Sequence, residues 1–208
     1  MNKFWNNYYD KPLNKIPWQN TQADWFKKLV DTKVITGATA LDLGCGTGIK
    51  SIYLARFGGF KKVLGIDVAQ KAIAYAQQNA KKEKVDDVCK FINADVVSWN
   101  FIKKEEKFNF ILDWALLHCL KPQDYKKYSG EILNHLKPKG VFLLRVFGTN
   151  KDKKYFSENI AGANSQIHIF NQPELKKIFN KFKIIDINTS QPKTKSKLYF
   201  QEILFKKI

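Results

Sequence analysis

The chain is poor in arginine, cysteine and long apolar runs, and each shortage closes off a class of function. Among 36 basic residues in 208, only Arg56 and Arg145 are arginine. Arginine is the side chain that forks onto phosphate and reads guanine through two bonds, so a nucleic-acid footprint is disfavoured despite a formal net charge of +17. The 34 lysines occur with 19 isoleucines and 16 asparagines, the composition AT-rich coding gives without selection for binding. Many lie as scattered pairs, such as Lys27-Lys28, Lys81-Lys82 and Lys126-Lys127, which suit solvated helix faces. Three cysteines, Cys45, Cys89 and Cys119, are odd in number and lack CxxC spacing, so reduced thiols are expected and no disulfide framework or metal site. No apolar run reaches the roughly 18 residues that span a bilayer, and residues Met1 to Asn7 carry a charge but no apolar stretch of a signal peptide. The expectation is a cytoplasmic protein with no membrane partner, of unassigned oligomeric state.

Hydrophobic residues make up 44% of the chain, enough for a packed core, and the length suits one domain over 1–208. Thr21-Gln22-Ala23-Asp24 reads as a helix start, with Trp25, Phe26, Leu29 and Val30 on one face. Periodicity then alternates: strand 38–43, helix 49–57, strand 62–66, helix 69–81, strand 88–92, strand 108–112, helix 123–136, strand 141–147. That order predicts an α/β fold with a doubly wound, mostly parallel seven-stranded sheet and helices on both faces. Residues 38–147 form the expected ligand-binding core. In 148–208, a polar stretch from Gly148 to Gln166 reads as a long acceptor-side loop, Asn171-Gln172-Pro173-Glu174 opens a helix, and strands at 183–188 and 198–205 predict an antiparallel hairpin at the sheet edge. Lysines in its loop, Gln191 to Ser196, would discourage edge pairing. Trp5, Tyr8, Tyr9 and Trp18 make residues 1–20 an aromatic arm, expected to pack on something.

The most informative segment is Leu41-Asp42-Leu43-Gly44-Cys45-Gly46-Thr47-Gly48, between the first strand and its helix. Glycines there let the backbone turn sharply and approach a ligand closely. A dinucleotide fingerprint would need glycine at Ile49, and a P-loop would need Gly-Lys-Ser/Thr where Gly48-Ile49-Lys50 stands. Asp67 ends the second strand and suits two ribose hydroxyls, or the N-cap of the next helix. Asp95 follows the third strand and Asp113 ends the fourth, so three acids point to the carboxyl edge, where open α/β sheets bind ligands.

At this point the chain resembles class I S-adenosylmethionine-dependent methyltransferases, over roughly Ala38 to Phe147. Leu41 to Gly48 looks like the family's first motif, Gly65-Ile66-Asp67-Val68 its second, Asn93-Ala94-Asp95-Val96 its third and Asp113-Trp114 its fourth. The turn Leu136-Lys137-Pro138-Lys139-Gly140-Val141 is similar to the one before the family's fifth strand. The resemblance implies S-adenosylmethionine as cofactor. Asp42, Gly44, Cys45, Gly46 and Gly48 would surround its methionine and ribose, with Asp67 and Val68 at the ribose. Asp95 and Val96 would lie at the adenine, and Asp113 by the methionine amino group. The arm, with Pro17-Trp18, is loosely similar to the lid of thiopurine- and tellurite-type enzymes, which would add Trp18 to the cofactor site; a helix packed on the sheet edge is the other reading.

For the reaction, the resemblance implies in-line methyl transfer to a small-molecule acceptor such as a thiol or chalcogen oxyanion. His118 lies in the segment where the fold places acceptor-side residues and has the pKa of a general base, although its apolar neighbours also suit a packed histidine. Arg145 sits inside an apolar strand, so it either pairs with a carboxylate or binds an anionic acceptor. His168 is a further candidate if the Gly148 to Gln166 loop folds over the acceptor. Two other readings keep the fold: methylation of RNA or protein, and S-adenosylmethionine binding without catalysis. Against the first, Asp113-Trp114-Ala115-Leu116 stands where many base-amino methyltransferases carry Asn/Asp-Pro-Pro-Tyr/Phe.

Overall fold

A computed structural model describes residues 2–16, 18–19, 23–149, 155–160, 163–191 and 199–208. The helices are α1 (Asn2–Tyr8), α2 (Asp24–Asp31), α3 (Ile49–Phe57), α4 (Gln70–Lys82), α5 (Tyr125–His135) and α6 (Gln172–Ile178). The strands are β1 (Thr39–Leu43), β2 (Lys62–Asp67), β3 (Cys89–Asn93), β4 (Phe108–Trp114), β5 (Leu136–Gly148), β6 (Tyr155–Ile160), β7 (Ala163–His168), β8 (Phe182–Ser190) and β9 (Tyr199–Lys207). Seven of them form one sheet in the order β3-β2-β1-β4-β5-β9-β8, with β1 to β5 parallel and β9 antiparallel to both neighbours.

Strand alternation sorts the core onto two faces. Leu41, Leu43, Ile111 and Leu144 pack beneath Tyr128 and Ile132 of α5 and Leu175 of α6. Ala40, Leu112, Leu143 and Leu204 pack beneath Phe26 and Val30 of α2, Ile52 of α3 and Ala76 of α4. Central strands covered on both sides are mostly apolar, which explains why β1 and β4 read as strongly apolar segments.

At the amino edge, Asn109 holds the strand entries together. Its Oδ1 accepts from the backbone N–H of Ala38 at 3.1 Å and of Thr39 at 3.2 Å, from Thr39 Oγ1 at 3.1 Å and from Lys137 Nζ at 3.2 Å. Replacing Asn109 with alanine is expected to lower unfolding free energy by about 2 kcal/mol in a urea titration, because several part-buried donors lose one acceptor.

Two expectations need correction. The stretch from Gly148 to Gln166 contains a separate two-stranded ribbon, β6 against β7, where a loop was expected; residues 150–154 and 161–162 lie outside the described ones. The C-terminal strands do form the expected antiparallel hairpin at the sheet edge, with β9 between β5 and β8 and β8 outermost. The lysine-bearing loop between them falls on residues 192–198, outside the described ones, as do Pro17 and the helix start at Thr21-Gln22. The arm packs neither as a tail nor along the sheet edge. Tyr8, Tyr9 and Ile16 pack on Ala69 and Ala72 at the start of α4. Asn6 Oδ1 accepts from the Lys71 backbone N–H at 3.0 Å, and Asp10 pairs with the Lys71 ammonium.

Candidate functional site

The turn after β1 is built by Gly44, Gly46 and Gly48, with φ of +69°, +55° and +77°. Residues with a Cβ rarely adopt those angles, which accounts for three glycines in five positions. A Cβ on Gly48 would meet the Phe91 ring at 2.8 Å, so this glycine lets α3 pack closely on β3. A Cβ on Gly44 would lie 3.1 Å from Leu116 Cβ, and one on Gly46 would lie 3.1 Å from the Tyr9 hydroxyl. The loop, the turn after β4 and the arm therefore border one cradle.

Asp67, at the end of β2, braces this loop. Its Oδ2 accepts from the Gly46 N–H and its Oδ1 from the Ala69 N–H, both at 2.9 Å. The bond to Ala69 shapes the turn before α4, whose N-cap position is Ala69 itself, and the carboxylate keeps acceptor capacity beyond its backbone bonds. Burial raises its pKa, with the three backbone N–H groups of Ala69, Gly46 and Val68 opposing. Val68 is half-buried beside it. Asp95, one strand further, is exposed and spends Oδ1 on the Val97 N–H at 3.0 Å. Val96 turns its side chain into the core, 6% exposed. Cys45 forms part of the turn through its N–H to Ile66 O at 2.9 Å, and its thiol lies toward β2, 3.0 Å from where a Gly65 Cβ would be. Burial, with Asp42 and Asp67 nearby, pushes that thiol well above the usual range, so it is no thiolate nucleophile.

The other two acids face away from the cradle. Asp42 is 1% exposed on the α3 side, and its Oδ2 accepts from Ser51 Oγ at 2.6 Å. Burial raises its pKa to about 6, against bonds from the Ser51 hydroxyl and backbone N–H. Asp42 thus fixes the start of α3 under the glycine loop. Asp113 is fully buried on the α5 side, accepting from the Leu116 N–H at 2.7 Å, the Leu117 N–H at 3.0 Å and Tyr128 Oη at 2.7 Å. Its carboxylate caps the turn Leu117–Cys119. The strand ends do converge, but alternation sends these two side chains inward, which corrects their placement as direct cofactor contacts.

The arm supplies residues that sequence reasoning did not assign. Gln19 and Thr47 bond side chain to side chain, Nε2 to Oγ1 at 2.8 Å, tying the arm to the glycine loop. Tyr9, 4% exposed, accepts from Trp18 Nε1 at 3.1 Å. Trp18 packs its ring on Tyr8 at 4.5 Å between centroids, so its main contacts are within the arm. Aromatic density marked the arm as packed, and the polar Gln19 gave no signal of its seat.

The acceptor-side residues also land differently. Arg145, 3% exposed, places Nε 3.1 Å from Glu202 Oε1 and its guanidinium 3.4 Å from the Phe200 centroid and 4.7 Å from that of Trp114. Glu202 also accepts from Asn188 at 2.7 Å and Ser190 at 2.9 Å. Arg145 is therefore an ion-paired, ring-sandwiched residue, the carboxylate-paired one of its two sequence readings. His118, 4% exposed, packs on Phe147 at 4.8 Å, and its Nδ1 has no partner among the described residues. Burial, then the Arg145 charge, lower its pKa to about 3. A base that weak is far from the optimum for proton abstraction near neutrality, so the general-base role is replaced by that of a neutral imidazole. His168 lies beyond, its Nε2 2.8 Å from Glu174 Oε1 on the α6 side.

The lowered value has a sign that can be checked. Between about pH 3 and 6.5 the folded chain holds less of a proton at His118 than the unfolded chain, so this residue's contribution to stability grows as pH rises through that window. A His118→Gln variant should differ from the parent by a constant amount above pH 6.5. It should gain relative to the parent as pH falls towards 3, in urea titrations at stepped pH.

Against known proteins, a methyltransferase-domain family model matches residues 40–140. A methyltransferase of Geobacillus sp. (strain WCH70) is 26% identical over 159 residues, 76% of this chain and 62% of that protein. The ubiquinone biosynthesis O-methyltransferase of Pelagibacter ubique is 30% identical over 138 residues, 66% of this chain and 53% of that one. The chain thus spans between half and two thirds of the length of these relatives. In fold, it superposes with a TM-score of 0.80 on the Burkholderia thailandensis 1,6-didemethyltoxoflavin N1-methyltransferase, solved with 1,6-didemethyltoxoflavin and S-adenosylhomocysteine bound. That likeness has 21% identity and covers 99% of this chain and 85% of that one.

Proposed function

We propose that the chain is a class I S-adenosylmethionine-dependent methyltransferase and that it moves a methyl group from S-adenosylmethionine to a small-molecule acceptor. The observation that carries the reading is the glycine turn braced by Asp67, with acceptor capacity left on that carboxylate and the arm across its mouth. When bound, the cofactor supplies a methyl group on a positively charged sulfur, open to in-line displacement. The residues that would hold it are the backbone of Gly44 to Gly46, Asp67 at the ribose and Asp95 at the adenine.

The chain's own task is alignment and exclusion of water, which can account for much of the acceleration of a displacement. Tyr9, Trp18 and the Gln19–Thr47 bond make the arm a lid over the glycine loop. His118 would orient the acceptor as a neutral hydrogen-bonding group. With so weak a base at His118, acceptors that arrive as anions, such as thiolates, are favoured over acceptors that need a proton removed. Two observations weigh against a nucleic-acid substrate. Arg145 is spent on Glu202, and Arg56 pairs with Glu83. Neither arginine is left to grip phosphate, and lysine alone gives weak discrimination.

A labelled-methyl screen across thiols, selenite or tellurite, phenols, amines and bulk RNA tests the reading. Label should enter a small anionic acceptor. Transfer to RNA alone, or calorimetry with no heat for S-adenosylhomocysteine, would sink it.

A further inference from the structure

Beneath the glycine loop, on the α2–α3 face of the sheet, two groups that normally demand partners have none. Lys50 stands in the first turn of α3, two residues after Gly48, with its ammonium 5.3 Å from the centroid of the Trp114 ring. Among the described residues no carboxylate lies within ion-pair distance of it. The nearest acid in charge influence is Asp42, whose carboxylate is turned onto Ser51. Burial lowers the Lys50 pKa to about 8, with Arg145 and Lys27 adding repulsion. Trp114, at the end of β4 and 9% exposed, has its buried Nε1 without an acceptor among the described residues.

A buried N–H without an acceptor is costly, and so is a desolvated ammonium without an anion. Both border one indole, and the Arg145 guanidinium lies 4.7 Å from the same ring. Arg145 has its own anion, Glu202, which also accepts from Asn188 and Ser190 and has no ion pair with Lys50. Glu202 therefore does not serve Lys50. Trp114 follows Asp113, whose register partner on β1 is Leu43, so the indole stands one residue past the point where the glycine turn begins.

We propose that Lys50 Nζ and the Trp114 indole N–H form a carboxylate-binding site under the glycine loop. The carboxylate belongs either to the amino-acid end of the cofactor or to the methyl acceptor. Both present the same chemistry, a planar anion that takes one ammonium and one neutral N–H. The proposal rests on the function given above.

The test compares the parent chain with Lys50→Met, Lys50→Arg and Trp114→Phe, using two matched pairs of probes. S-adenosylhomocysteine against its carboxamide, by calorimetry, isolates the cofactor's carboxylate. Benzoate against benzamide, by ligand-observed NMR with S-adenosylhomocysteine present, isolates an acceptor's. Lys50→Met should weaken the charged member of one pair by about ten- to a hundred-fold and leave its neutral counterpart unchanged. Lys50→Arg should restore most of the loss, and Trp114→Phe should weaken the same charged probe to a smaller degree. Loss confined to the first pair assigns the site to the cofactor, and loss confined to the second assigns it to the acceptor. If both members of each pair change equally, or none changes, the proposal is overturned. If the parent chain binds neither S-adenosylhomocysteine nor its carboxamide, the functional reading falls instead.

Discussion

Asp67→Ala is expected to lower the affinity for S-adenosylhomocysteine by at least about a hundred-fold, the largest binding effect of any single substitution at the site. Two losses combine. The ribose hydroxyls lose a charged acceptor, and hydrogen bonds to charged groups contribute about 1.5 to 3 kcal/mol each. The Gly46 and Ala69 N–H groups, held at 2.9 Å, also lose the oxygens that shape the turn. A loss of 2.8 kcal/mol, roughly two such units of 1.4, is already about a hundred-fold in a dissociation constant. Calorimetry on the folded variant measures it directly. Asp67→Asn separates the contributions, since the amide can still accept from one N–H and its effect should be intermediate. Unchanged binding in both variants would remove the cofactor assignment.

The largest stability effect is expected from Glu202→Ala. Arg145 and Glu202 are 3% and 2% exposed, and the glutamate gathers the guanidinium, Asn188 and Ser190. Removing it leaves a buried cation without compensation, at a cost of about 3 to 5 kcal/mol in denaturant unfolding. The double variant Arg145→Met with Glu202→Leu should recover most of that loss, because apolar pairs of similar volume often replace buried ion pairs at little cost. A Glu202→Ala variant as stable as the parent would show that the pair is solvated in solution.

The parallel core was legible because its sheet is covered on both faces, so apolar runs and glycine punctuation carried the strand order directly. Asp113 shows the limit of such reading. Its place at the end of β4 correctly put it at the ligand edge, but alternation aims its side chain at Tyr128, and only the packed α5 reveals that partner. Arg145 announced by its apolar neighbours that it needed an anion. The anion lies 57 residues on, in another apolar strand, where Gln201-Glu202 is the matching irregularity. The β6–β7 ribbon escaped because its sequence runs polar without a break through Ser157-Glu158-Asn159 and Asn164-Ser165-Gln166, which leaves no period-two signal to read. The seat of the arm escaped for another reason: Gln19 meets Thr47 across 28 residues, and no local pattern encodes a distant polar pair.

The insertion of β9 between β5 and β8 bears on how the chain assembles. The strand made last among those described, Tyr199–Lys207, is an interior one, and it brings the counter-ion of Arg145 with it. During synthesis β1 to β5 can align once β4 has emerged to pair with β1, before the last strands are made. Until residues 199–207 emerge, β5 presents an open edge, β8 has no neighbour and a guanidinium waits unpaired among apolar side chains. Closing that gap joins segments some sixty residues apart, the kind of distant pairing that slows folding. Final consolidation of the acceptor side is therefore tied to the arrival of its most C-terminal described strand.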